Sequence, residues 1–238
     1  MCCSFKYTSH LAIISKIFWS TTIRQVIIIL FLGVTLFAQT AFESSDDYSM
    51  RIGYGYSDSN DLGQILVGAW NHYDGDTSAL NLDAGYRFSH NTWDWPLDFY
   101  AKGGISYFDE NSVYNPQTAQ VSKDFLEVNV YVKVYLKLDF WQNRVRIGVG
   151  EGVSLAQEIP VVEVHDATNS DGTVDPTAKF LNYMDISADF DVGRLIRVNV
   201  LRDTYLGYTL KHRSGVFGLF NGVHGGSNYN MLTLEKNF

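Results

Sequence analysis

The sequence predicts an all-β protein: a transmembrane antiparallel β-barrel of eight strands that follows an N-terminal signal peptide. Three observations carry this. In Phe125–Leu138, Leu126, Val128, Val130, Val132, Val134, Leu136 and Leu138 form one unbroken aliphatic face opposite Glu127, Asn129, Tyr131, Lys133, Tyr135 and Lys137. A helix would smear these residues around its circumference, so the period is two. The composition is 15% aromatic, with 15 Tyr, 15 Phe, 20 Gly and only 4 Pro. Beyond the leader, no apolar run approaches the roughly 20 residues of a spanning helix. Alternating strands rich in Tyr and Gly, without helical spans, are the pattern of a membrane barrel.

The leader comes first. Lys6, Lys16 and Arg24 precede an apolar run from Val26 to Phe37, and Ala38-Gln39-Thr40-Ala41 follows as a cleavage zone. Residues 1–41 are therefore expected to be the signal peptide and 42–238 the barrel; a retained anchor is the other reading of the run. Cys2 and Cys3 both lie in the leader, which leaves 42–238 without disulfide, thiolate or cysteine–metal chemistry. The leader holds three of the 18 Lys+Arg and no acid, so 15 bases face 26 acids, a net of −11. Such a balance excludes nucleic acid as a partner.

The strands follow in order. Tyr48–Tyr56 sets Met50, Ile52, Tyr54 and Tyr56 on one face, and Leu62–Trp70 is apolar throughout. Leu80–Phe88, Leu97–Phe108, Arg144–Leu155 and Asn182–Val192 each oppose an apolar face to one carrying Asp, Lys, Arg or Gly. Thr204–Ser214 and Tyr229–Phe238 complete nine candidates, whereas a bacterial barrel takes an even number. With both termini periplasmic, counting back from the C-terminus puts 109–124, 157–181 and 215–228 outside. The connections 89–96 and 139–143 become short periplasmic turns bearing Trp93, Trp95 and Trp141 as interfacial anchors. This assignment uses eight strands and leaves Tyr48–Tyr56 as the odd segment. Ten strands, adding Arg194–Leu201, would push the longest loops into the periplasm. Mixed charges on the inward faces predict an interior packed with side chains, not a pore.

Candidate chemistry sits on Thr204–Ser214. Leu206, Tyr208, Leu210, His212 and Ser214 share the outward face; Gly207, Thr209, Lys211 and Arg213 share the other. Two residues along a strand is about 6.6 Å, so an imidazole leaning along it can reach the hydroxyl. A His–Ser pair is the minimum for nucleophilic ester cleavage, the His taking the proton from the Ser. Lys211 and Arg213 are expected to favour anionic headgroups nearby. The plainer reading is that polar residues mark where a strand leaves the membrane. Glu151 interrupts an apolar face; either a bulge turns it inward, the preferred reading, or it is an acid partner for the histidine. His224 with Gly225-Gly226 reads as an exposed loop or a lid, and Asp166, Asp171 and Asp175 as a solvated acidic loop, since they lack calcium-ligand spacing. No phosphate-cradling loop or paired-His zinc motif occurs, and no cofactor or metal is expected.

The run His212-Arg213-Ser214-Gly215, a short loop and a final strand ending in an aromatic resemble the PagL-type lipid A 3-O-deacylases, eight-stranded outer-membrane barrels. The fragment Leu82-Asp83-Ala84-Gly85-Tyr86 adds to the likeness. The resemblance implies that His212 is the general base and Ser214 the nucleophile. Where the family has an oxyanion-stabilising Asn this chain has Gly215, whose backbone N–H is the substitute. The family's His-orienting Glu falls near Ser227 or Asn228, either of which can accept from an imidazole. The implied function is a deacylase of the bacterial outer membrane that hydrolyses an ester-linked acyl chain of lipid A. Lipid A or lipopolysaccharide, outer-membrane lipid and the barrel-assembly machinery are the partners. The alternatives are a non-enzymatic structural or adhesive barrel, favoured by the 157–181 loop, and acyl transfer to lipid A.

Overall fold

A computed structural model describes residues 47–115 and 120–238. The signal peptide expected over 1–41 lies outside the described residues. Eight antiparallel strands close into a barrel: β1 (Tyr48–Asp58), β2 (Ser78–Ser89), β3 (Leu97–Asp109), β4 (Phe125–Phe140), β5 (Asn143–Ala156), β6 (Phe180–Asp191), β7 (Thr204–Ser214) and β8 (Gly226–Asn237). Each strand pairs with its sequence neighbours, and β1 closes on β8 from Ser49↔Asn237 to Asp58↔Asn228. Closure leaves no edge of unpaired backbone groups, which hydrocarbon would not tolerate.

Eight strands is the expected number, with one change of membership. Tyr48–Tyr56 is a wall strand after all. Leu62–Trp70 is not: it holds a short helix, α1 (Leu62–Leu66), started by a capping box between Asp61 and Gln64. Its lack of alternation was the signal, since a wall strand needs an inward polar face. Arg194–Leu201 lies between β6 and β7 as a five-residue helix (Val192–Ile196) and a turn of 3₁₀ helix, not as a strand.

The connections at one end are short. Trp141 and Gln142 join β4 to β5 with φ of 47° and 67°, the left-handed pair that a tight hairpin requires. Trp93, Trp95 and Trp141 are all exposed there, where indole rings suit a lipid–water boundary. Between the ends, Ile52, Leu82, Ile105, Val128, Val130, Val149 and Leu232 are exposed on the outer wall. An apolar outside around a polar inside is the inverse of a soluble protein and makes lipid the solvent of the wall. The chain is an outer-membrane β-barrel.

The interior is ionic. Six cations (Arg51, Lys102, Lys133, Arg146, Lys211, Arg213) meet six carboxylates (Asp83, Glu127, Glu163, Asp185, Asp189, Glu235), all buried. Arg51 donates to Asp83 at 2.8 Å and also pairs with Asp185, which Lys133 shares. Lys102 reaches Glu235 at 2.9 Å, and the Tyr135 hydroxyl donates to the same carboxylate at 2.8 Å. Small residues on facing strands make room: a Cβ at Gly148 would meet the Lys133 side chain at 2.6 Å. Such an interior is packed rather than open.

The other end carries long connections and, by the convention of these barrels, faces outward. Between β5 and β6, a second helix, α2 (Val161–Asp166), caps this end. Val161 and Val162 cluster with Phe108, Phe125, Tyr229 and Met231, and Phe108 stacks on Phe125 at 4.7 Å. Glu110 accepts the Val161 N–H at 2.7 Å, and Glu163 meets Arg213 at 3.5 Å. Burial pushes both carboxyls up to about 7.

Two outcomes follow. Replacing Arg51 with alanine strands Asp83 and Asp185 without their guanidinium and should cost about 3–5 kcal/mol, read as a lower urea midpoint for the barrel in detergent. An acid whose folded pKa exceeds its unfolded value binds more protons when folded, so its contribution falls as pH rises from about 4.5 through about 7. Hydrogen-exchange protection of the Val161–Ala167 amides should therefore drop between pH 5 and pH 8. With both acids removed, in Glu110→Gln, Glu163→Gln, it should stay nearly flat.

Candidate active site

Barrel closure sets strand register, and register aligns outward-facing residues in rows. One row runs Asp58↔Asn228↔His212↔Met184↔Glu151 across β1, β8, β7, β6 and β5; the next runs Gly226↔Ser214↔Asn182. All lie on the lipid side of the wall, at its outer end. There the aliphatic face gives way to a polar patch roofed by loops, enclosing a cavity of about 630 Å³.

Asp61 to Gly63 form one wall of the cavity, α2 a second, and Val216, Phe217 and His224 of the β7–β8 connection a third. Trp70 stacks on Tyr208 at 5.7 Å and holds the first long connection against the barrel. These segments cover His212, which is 8% exposed although it points away from the barrel interior. The β7–β8 connection is tight: Gly218 N–H donates to the Val223 carbonyl and Phe220 N–H to Gly215. Val216 and Phe217 adopt φ of 48° and 54°, a left-handed pair that is costly for a β-branched residue.

The hydrogen bonds around His212 define its tautomer. Asn228 donates through Nδ2 to the Asn60 carbonyl at 2.9 Å, which turns its amide oxygen toward the ring. His212 Nδ1 lies 2.7 Å from that oxygen. An amide oxygen only accepts, so Nδ1 carries the proton and Nε2 holds the lone pair. Asn60 is itself fixed, its N–H donating to Asp58 at 2.8 Å; Asp58 also accepts from Asn230 Nδ2 at 2.6 Å. Ser214 follows on the same face two residues later and lines the cavity with His212. Among the described residues no hydrogen bond joins the two, and no carboxylate contacts the ring.

His212, Ser214, Asn228 and Glu151 thus share one cavity. Ser227 does not: it points into the barrel, where its hydroxyl donates to Glu163 at 3.4 Å, because alternation gives Ser227 and Asn228 opposite faces. The Ser227 hydroxyl therefore does not orient His212, although the Ser227 backbone also hydrogen-bonds the ring. The Gly215 N–H donates to the Gly225 carbonyl at 3.2 Å, so it is engaged rather than free to meet an oxyanion. Glycine is required there because a Cβ would fall 1.9 Å from the Val223 carbonyl oxygen. No bulge turns Glu151 inward. The β5 ladder is continuous through Val132↔Glu151 and Glu151↔Met184, and Asn182 Nδ2 donates to the exposed Glu151 carboxylate.

Lys211 and Arg213 also depart from expectation. Both are buried in the barrel on Glu127, with Arg213 also near Glu163, and cannot meet headgroups. Of the three loop acids, Asp171 accepts from Thr173 and Asp175 from Asn169, while Asp166 lines the cavity. Asp58, Asn60 and Asn182 belong to the site and went unnoticed in the sequence. Asp58 had a signal, since it breaks the outward series Met50, Ile52, Tyr54, Tyr56.

No protein-family model matches the chain, and no curated protein matches it. Among solved structures it is similar to PagL, described as an outer-membrane enzyme, at 11% identity and a TM-score of 0.50. That match covers 80% of this chain and 99% of the other. It also matches Neisserial surface protein A at 12% identity and a TM-score of 0.43, over 82% and 98%. At these identities the likeness is one of fold.

Replacing Asn228 with alanine removes the acceptor that selects the Nδ1–H form. Imidazole ¹⁵N shifts of His212 in detergent at pH 8 should show one tautomer in the wild type and a mixture in the variant. A mixture already present in the wild type would contradict the assignment.

Proposed function

We propose that this barrel is an outer-membrane acyl-ester hydrolase whose site opens sideways into the outer leaflet. The observation that carries it is the 2.7 Å contact of His212 Nδ1 with the Asn228 amide oxygen, which assigns the Nδ1–H tautomer, on the lipid side of the wall with Ser214 in the same cavity. That tautomer leaves Nε2 as a base. In the reaction, Nε2 takes the Ser214 proton while Oγ attacks the ester carbonyl. The alcohol leaves with the proton returned by His212, and the acyl chain stays on Ser214. Water, activated by the same nitrogen, then releases the fatty acid and restores the serine. No cofactor enters these steps, and the acyl chain need not leave the membrane to react. The His–Ser contact closes only once a substrate is bound, as unliganded sites often require.

The resemblance of His212-Arg213-Ser214 to the deacylases supports lipid A as the substrate class. Asn228 orients the base without a carboxylate's charge, so the imidazolium of the transition state is stabilised less than in a complete triad. The turnover expected is correspondingly low. Gly215 would have to release the Gly225 carbonyl before its N–H could serve an oxyanion. A second reading, a non-enzymatic adhesive barrel, is favoured by the size of the β5–β6 connection and by the missing carboxylate behind His212.

Mass spectra of lipid A from cells carrying the wild type or Ser214→Ala separate the two. Loss of one acyl mass with the wild type alone supports the hydrolase; a gain in acyl mass would mean acyl transfer. Identical spectra, with both proteins folded in the outer membrane, favour the adhesive barrel.

A further inference from the structure

The cavity that holds His212 and Ser214 is lined by four carboxylates, Asp58, Asp61, Glu151 and Asp166, against two further histidines, His165 and His224, and no lysine or arginine. None of the four makes an ion pair among the described residues. Burial raises the Asp166 carboxyl and the nearby Asp61 adds to this, against the opposing pull of the Gly226 N–H and of His165. Asp58, 2% exposed, accepts from the backbone N–H groups of Asn60 and Asn71 and from the Asn230 amide.

The surroundings have the same sign. The connections 59–77, 110–124, 157–179 and 215–225 carry ten carboxylates and two lysines, with no arginine. The basic residues at this end of β7, Lys211 and Arg213, point inward and are paired there. At the opposite end, by contrast, Arg194, Arg197 and Arg202 stand in a single connection. A low-dielectric cavity bounded by lipid focuses such a field onto whatever enters.

Resting on the hydrolase reading, we infer that the site takes acyl-ester lipids whose headgroup bears an ammonium group, in preference to those bearing unshielded phosphate. The geometry suits this. His212 and Ser214 stand at the junction of the apolar wall and the polar patch, where an ester lies between chain and headgroup. Glu151, exposed and oriented by Asn182, sits one strand beyond Met184 in the same row, and Asp166 lies against Gly226, the strand partner of Ser214. An ammonium between them would gain two charge-assisted contacts, whereas a phosphate there would be repelled by both carboxylates. The chemistry is shared by amine-bearing phospholipids and by glycolipids decorated with an amine.

The test measures binding separately from hydrolysis. Ser214→Ala protein in neutral detergent micelles with EDTA is titrated with phosphatidylethanolamine and with phosphatidylglycerol of identical acyl chains. The expected result is a preference of at least about tenfold for the ammonium lipid at low salt, falling toward parity in a Glu151→Gln, Asp166→Asn background. Lipid A with and without a phosphoethanolamine group forms the second arm; a preference in one arm alone identifies phospholipid or glycolipid as the source. Equal binding in both arms, or a preference untouched by removing the two charges, overturns the inference. So does tight binding of the anionic lipids only with magnesium, which would mean a metal-bridged phosphate. Wild-type protein with the same probes tests the other half: absence of Ser214-dependent acyl release from all of them defeats the hydrolase reading, while the binding ratios still decide the selectivity.

Discussion

Hydrogen bonding of β1 to β8 is the constraint on which the rest of this molecule depends. In a bilayer an unpaired strand edge costs several kcal/mol per group, so the sheet must close. Closure leaves little freedom in register, because a slip of one residue would turn every aliphatic side chain inward and every charge into lipid. Once register is set, Asp58, Asn228, His212, Met184 and Glu151 fall into one row from five strands. The candidate site is a consequence of that row, not of any single segment.

The interior obeys a companion rule. Six cations and six carboxylates are tolerable in a space this small only because each has partners on other strands or, for Arg213, also on the cap. The network extends to the outer end, where Arg213 pairs with Glu127 and approaches Glu163 of the cap. His212 and Arg213 are adjacent in sequence yet serve opposite sides of the wall. The arginine ties the cap to the barrel, and the histidine faces the lipid-side cavity. Alternation thus lets one strand fill an ionic core and line the lipid-side cavity without either interfering with the other.

What surrounds His212 also distinguishes this site from a polar residue simply marking the end of a strand. Such a residue would be solvated; this one is buried, and its amide acceptor is itself oriented by the Asn60 backbone. The chain of contacts from Asp58 through Asn60 and Asn228 to the imidazole joins β1, its following connection, β8 and β7. Each link is neutral at the ring, so the arrangement sets a tautomer rather than a charge. The acidic lining adds selectivity by repulsion, which rejects a wrong headgroup even where the acyl chain fits.

The sequence by itself determined the barrel, because period-two alternation over fourteen residues has one structural meaning in lipid and because charges opposite aliphatic faces must point inward. It also determined which face His212 and Ser214 share and that Lys211 and Arg213 take the other. The identity of the eighth wall strand was not legible from counting, since Leu62–Trp70 is as apolar as a strand and lacks only its polar face. The tertiary structure alone decided between Ser227 and Asn228, and it alone recruited Asp58, Asn60 and Asn182. Those choices depend on inter-strand register and on where the long connections fold back. Both are set by pairing residues up to 188 positions apart, from Ser49 to Asn237, which no local pattern encodes. Glu151 shows the same limit: an acid on an apolar face is a bulge or a site according to what its neighbours across the sheet supply, and here they supply an amide and a cavity.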